Sequence, residues 1–316
     1  IQNVAVHYMK KIFFPFILIS FFVASCEPVD YPQPVTQIPF YASETSLPFM
    51  IPVTETPITL PKDPATETPP FTISITETPI PEPTIKWWEV YFTDPLVINN
   101  PDAIADSIEE ELILLINNAQ TSIHIASFEF NLTPVAEALI AAKNSGVDVK
   151  WVTDDKNGLA YDIKPGRGQF ALLTGAGIEV KDDAGRSALM HNKFWIFDQQ
   201  IVWTGSTNIT VNGIFKQNNN VIVIHSPEIA YSFEREFQEM WNGQFGPRAP
   251  STVNNQWAIV DGTPIQVLFS PEDKIVSNLI ALVKDAQFSI RFLAFSFTDY
   301  PLAQVMIDRA KSCVDV

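Results

Sequence analysis

Cysteine is nearly absent from this chain. Cys26 and Cys313 are the only two in 316 residues, too few for a disulfide framework, so stability has to come from a packed core. Basic residues are also scarce: 20 Lys and Arg stand against 36 Asp and Glu, a formal net charge of −16. That balance argues against a protein that coats nucleic acid non-specifically, which presents a basic footprint, but it leaves room for a locally basic pocket. The apolar run from Ile12 to Ser25 spans about 14 residues, short for a membrane-crossing helix. What the chain does have is apolar mass, 46% of residues with 12% aromatic, and 25 prolines spread very unevenly. The first supplies a sizeable core, and the second points to a tail or linker beside it.

The short apolar run has the form of a signal-peptide core. Met9 is followed by Lys10 and Lys11, and the run ends Val23-Ala24-Ser25-Cys26. Small residues directly before a cysteine at that place resemble a bacterial lipobox, which implies lipidation of Cys26 and loss of the residues before it. Residues 1–26 are therefore expected to be upstream sequence and a lipoprotein signal. The protein would be secreted and held as a lipoprotein on the outer face of the membrane. Residues 27–86 carry more than half of the prolines and repeat Thr-Glu-Thr-Pro at 54–57, 66–69 and 76–79. Such a segment buries too little apolar surface to offset its ordering entropy, so a semi-stiff spacer is expected.

Folded sequence begins near Trp87. Strands are expected at Val90–Phe92, Ser122–Phe130, Val147–Thr153, Ile178–Lys181, Met190–Phe197 and Ile201–Thr204. Helices are expected at Ala103–Asn118, near Gln169–Thr174, and from an N-capping Thr133 to Asn144, where Gly146 ends the run. Strands alternating with helices predict an α/β sandwich with a mixed or mostly parallel sheet. The chain also repeats itself. Glu110–Val149 aligns without gaps on Ser277–Val316, with 16 of 40 positions identical, far above chance. Two similar halves are expected, at 87–250 and 260–316, with the second ending inside its own pattern and the sequence therefore a fragment. Cys313 takes the place of Gly146 and is expected to be a small buried thiol.

The residues that carry chemistry lie in the first half. His191-Asn192-Lys193-Phe194-Trp195-Ile196-Phe197-Asp198 is followed seven residues on by Gly205-Ser206-Thr207-Asn208. A two-residue turn at Gln199-Gln200 would set Phe197 opposite Val202, Lys193 opposite Ser206 and His191 opposite Asn208. Strand alternation puts His191 and Lys193 on one face. An imidazole, an ammonium, a hydroxyl and an amide would then share a surface suited to a phosphate. Asp198 has the other parity and is expected to support the site.

These residues, His-x-Lys-x(4)-Asp with Gly-Ser-x-Asn after it, together with the duplicated halves, resemble the phospholipase D superfamily over about 87–316. The resemblance implies that fold, with two pseudo-repeated halves of mixed sheet flanked by helices. It implies His191, Lys193 and Asp198 as the catalytic set and Ser206 and Asn208 as phosphate ligands. One motif histidine attacks phosphorus and the other protonates the leaving alcohol, while lysines and amides hold the charged oxygens. No cofactor or metal is implied. The second histidine would fall near position 358, so a naturally short chain would need to pair two copies as a homodimer through the motif face.

Other residues get plainer readings. His124 and His225 are expected to be structural, and Glu234, Glu236 and Glu239 to form a solvated helix face. Glu129 ends a strand near the pocket but is set aside because its repeat partner is Ser296. Trp87-Trp88 is expected to pack at the opening strand. The expected activity is head-group hydrolysis of phospholipids at the membrane that the anchor reaches. The leader carries +2 and the spacer −6, so about −12 falls on residues 87–316, which disfavours polyanionic substrates. The alternatives are an extracytoplasmic nuclease, with nucleic acid as the partner, and an inactive surface lipoprotein.

Overall fold

The computed structural model describes residues 86–183, 185–247, 249 and 257–316. Cys26, the leader and nearly all of the proline-rich stretch lie outside them. In chain order the elements are β1 (Trp88–Phe92), α1 (Ile108–Asn118), β2 (Ser122–Ser127), α2 (Thr133–Asn144), β3 (Asp148–Thr153), a π-helical turn at Asp155–Leu159, α3 (Gln169–Gly175), β4 (Glu179–Asp182), β5 (Lys193–Phe197), β6 (Ile201–Gly205), α4 (Val211–Phe215), β7 (Asn220–His225) and α5 (Pro227–Trp241). There follow β8 (Trp257–Val260), β9 (Thr263–Gln266), α6 (Ile275–Asp285) and α7 (Tyr300–Lys311).

Strands β1 to β7 form one mixed sheet in the order β1-β7-β6-β5-β2-β3-β4. The pairs β2·β3 and β3·β4 are parallel, joined through α2 and α3, and the others are antiparallel. Central strands such as β2 (Ser-Ile-His-Ile-Ala-Ser, buried throughout) are covered on both faces, so their apolar runs are near-continuous. On one face Leu112 and Ile116 of α1, Val135 and Leu139 of α2 and Phe170 of α3 pack on Ile123, Ile125, Trp151, Trp195 and Trp203. On the other, Ile229, Phe233, Phe237 and Met240 of α5 pack on Ala126, Val152, Phe194, Ile196 and Val202. The fold is thus an α/β sandwich, as expected.

The repeat is visible in the elements themselves. Helices α1 and α6, and α2 and α7, sit at the same offset of 167 residues that aligns the sequence. The parallel pairing Ser122↔Asp148 returns as a single bridge Ser289↔Asp315. The second copy forms no full strand there, because no counterpart of β5 lies among the described residues to pair with it. Phe295 is correspondingly exposed where its repeat partner Phe128 is buried, and Leu282 is exposed as well.

Several expected boundaries move. Helix α1 starts at Ile108, not Ala103, because the Ser107 side chain accepts the Glu110 N–H as N-cap. Thr133 does not cap α2; Leu132 holds that place, with proline inside the first turn. Strand β2 stops at Ser127, and Phe130 makes only a lone bridge to Ile209. Cys313 is exposed rather than buried, with φ +67° where Gly146 has +102°; both fill the left-handed position that ends their helix.

Candidate active site

Strand β5 and the segment entering it form the site. The N–H of buried Met190 donates to Asp154 Oδ2 at 3.2 Å, which fixes the extended stretch before His191. Lys193 opens β5 and pairs with Ser127 of β2. Its Nζ lies 3.2 Å from His191 Nε2 and 3.0 Å from the His191 carbonyl. The Phe128 ring backs both groups, edge-on to the imidazole at 4.6 Å and 5.3 Å below the ammonium. Partial desolvation, with the charge of Lys193, pulls the His191 pKa below its usual value. Burial brings Lys193 down to about 8, and the Glu129 carboxylate opposes that shift. At neutral pH the pair is therefore an unprotonated imidazole beside a mostly charged ammonium.

The register of the hairpin differs by one residue from the expected one. Phe197 pairs with Ile201 and Phe194 with Thr204, so Lys193 does not face Ser206. The turn residues are Asp198 and Gln199, at φ +53° and +56°, with Gln200 N–H donating to Phe197 O at 2.9 Å. Asp198 is drawn into the turn because its carboxylate accepts the backbone N–H groups of Gln120, Thr121 and Ser122 and the Thr121 hydroxyl. Burial alone would raise its pKa, but these donors hold it below the usual carboxylate value. Asp198 is thus at the far end of β5 from Lys193, roughly 16 Å away along the strand. It is not brought together with His191 and Lys193; it ties the α1–β2 loop to the β5–β6 turn.

Ser206 follows Gly205, where a Cβ would meet Asn220 O at 2.2 Å, so only glycine lets β6 approach β7 this closely. The Ser206 hydroxyl donates to Asn219 Oδ1 at 2.9 Å and accepts the Asn220 N–H at 3.1 Å. Asn219 is oriented by its own Nδ2, which donates to Gly213 O. Asn208 Nδ2 donates to Glu129 Oε1 at 3.3 Å, while its buried Oδ1 has no donor. Glu129 is also paired with Arg167 at 2.7 Å. The structure therefore adds Glu129, Arg167, Phe128, Asn219 and Asp154 to the residues named from sequence. Strand parity already put Glu129 near the pocket, but the mismatch with Ser296 hid it. No local signal marks Asn219 or Asp154.

The plainer readings fare unevenly. His124 is a buried structural residue, with Nδ1 2.9 Å from Glu234 and its ring stacked on Phe237 at 4.6 Å. His225 Nε2 lies 3.5 Å from Glu89. The expectation of a solvated face at Glu234, Glu236 and Glu239 is overturned: Glu236 and Glu239 are buried and Glu234 is the partner of His124. Glu234 reaches His124 of β2, while Glu236 and Glu239 gather beside Glu272, which spacing along the helix does not reveal.

Residues 112–241 match the family model described as "Cardiolipin synthase, PLD-like domain". Over these residues the chain is similar to the PLD-like domain of the phospholipase D superfamily. The mitochondrial cardiolipin hydrolase of Xenopus tropicalis is 32% identical over 136 residues, which are 43% of this chain and 62% of that protein. The human mitochondrial cardiolipin hydrolase is 32% identical over 142 residues, 45% of this chain and 54% of its own. A phospholipase D of Rickettsia bellii is 34% identical over 118 residues, 37% and 56% of the two chains. The matches thus span about three fifths of the relatives' length. Among solved structures, the phospholipase D family member Nuc from Salmonella typhimurium is 29% identical, with 49% of this chain and 95% of that chain covered and a TM-score of 0.41.

Proposed function

We propose that this chain is the motif-bearing part of a phosphodiesterase that removes the head group of phospholipids through a phosphohistidine. The observation that carries the reading is the His191–Lys193 couple, a neutral imidazole with an ammonium 3.2 Å from its Nε2. In the resting site Nε2 accepts from Lys193. An arriving phosphodiester gives the ammonium an anionic acceptor and leaves the imidazole lone pair free to attack phosphorus. The N–P bond forms as the bond to the leaving alcohol breaks, and that alcohol takes a proton from a second motif histidine. The second histidine then deprotonates a water, which attacks phosphorus and releases His191. Lys193, the amide of Asn208 and the hydroxyl of Ser206 would hold the non-bridging oxygens. For Ser206 this requires its proton to leave Asn219. Asp198 acts through the fold alone.

These 316 residues carry one copy of the motif, so the second histidine would come from further sequence or from a second chain. A lipid substrate is supported by the names of the lipid-hydrolysing relatives and by the excess of acidic charge. Lipidation at Cys26 would hold the enzyme on the surface where that substrate lies.

The test compares head-group release from vesicles of cardiolipin, phosphatidylglycerol, phosphatidylethanolamine or phosphatidylcholine with cleavage of single- and double-stranded DNA by the same preparation. Head-group release that disappears in His191→Ala, with melting unchanged because His191 is exposed, supports the reading. DNA cleavage without lipid turnover replaces it with the nuclease reading. Lipid turnover that survives His191→Ala overturns the site.

A further inference from the structure

Three carboxylates meet at the carboxyl end of β3 and the end of β4. One ligand oxygen from each of Asp154, Asp155 and Asp183 lies within 4.8 Å of the other two. Acidic groups often cluster in solvent without consequence, but two of these three are buried. Asp154 and Asp183 are both at 0% relative exposure. Asp183 Oδ1 accepts the Asp155 N–H at 2.9 Å, while Oδ2 is shut off from water and meets no donor at all. A buried carboxylate oxygen without a partner is costly to keep. Burial raises the Asp183 pKa, and so do the charges of Asp154 and Asp155.

We propose that Asp154, Asp155 and Asp183 bind a divalent cation of calcium's size. An all-carboxylate donor set suits a hard cation, not one that prefers nitrogen or sulfur. Ligands about 2.3–2.6 Å from a calcium ion can stand up to about 5 Å apart across it, whereas magnesium at about 2.0–2.1 Å asks for a tighter cage. Backbone carbonyls and water would complete the shell. The ion gives Asp183 Oδ2 the partner it lacks. Asp154 also holds Met190 through Oδ2 and the π-helical turn through Oδ1, which accepts the Lys156 and Asn157 N–H groups. An ion here would therefore brace the segment that presents His191. The two neighbouring ligands and the third, 28 residues on, give no compact motif, so the sequence does not announce the site. This inference does not depend on the phosphodiesterase reading.

The test needs no substrate. The chain, stripped with a chelator, is titrated with CaCl2 and with MgCl2 by calorimetry and melted in each. One calcium per chain, bound more tightly than magnesium, with a melting temperature raised by several degrees, is the expected result. Asp183→Asn should lose both the heat and the shift, and in chelator it should melt no lower than the unsubstituted chain. Asp155→Asn, at a less buried ligand, serves the same purpose if Asp183→Asn fails to fold. Glu236→Gln, in the separate acidic group of α5, should keep the calcium response. Absence of calcium binding at millimolar concentration in the unsubstituted chain overturns the proposal. So does a calcium response that survives both aspartate variants, or tighter binding of magnesium.

Discussion

Glu109 allows a sharp test of the packing. It sits in the first turn of α1 at 1% relative exposure, and neither carboxylate oxygen has a hydrogen-bond partner. Burial raises its pKa from 4.5 to about 7. Below pH 4.5 the group is protonated in the folded and unfolded chains alike, and its contribution is intact. Between 4.5 and 7 the unfolded chain releases the proton while the folded chain keeps it, so stability falls as pH rises. Above 7 the loss is complete, about 3 kcal/mol for a shift of this size. Glu109→Gln abolishes this titration. The amide still lacks a partner, at a cost of about 1–3 kcal/mol that does not change with pH. Glu236 and Glu272 also have raised pKa values, so stability of either chain falls with pH, but their contribution cancels in the difference between the two. Urea unfolding at pH 4, 5.5 and 8 measures that difference. Glu109→Gln should match the unsubstituted chain at pH 4, where the neutral carboxyl lacks a partner just as the amide does, and should be the more stable chain by about 3 kcal/mol at pH 8. Parallel stability curves across that range would refute the assigned burial of an unpartnered carboxyl group.

Asp198→Ala should cost about 2–3 kcal/mol by urea unfolding, because three backbone N–H groups lose a charged acceptor. Its folded pKa is depressed, so the gap to the unsubstituted chain should hold at neutral pH and close as pH falls below about 4. Glu129→Gln removes the one anion found to raise the Lys193 pKa. The basic limb of the pH–rate profile for phosphodiester hydrolysis should then move to lower pH, and an unmoved limb would separate Glu129 from Lys193.

The motif was legible in sequence because its chemistry is local. His191 and Lys193 are two residues apart at the mouth of one strand, so extended backbone alone places them together. The sandwich was legible for a similar reason: the sheet's apolar runs and the helix stops at Asn118 and Gly146 are each written within a few residues. The duplication needed only an alignment, and α6 and α7 then fell at the same 167-residue offset. The hairpin register was decided elsewhere, by three N–H groups of Gln120–Ser122 that pull Asp198 into the turn across 76 to 78 residues of chain. Pairing across such distances also sets Glu129 against Asn208 and Arg167, and Glu234 against His124. It gathers Asp154, Asp155 and Asp183 in one place. Sequence periodicity reports which face of an element is apolar. Which polar groups meet behind that face depends on how the layers close, and that was fixed only by the tertiary structure.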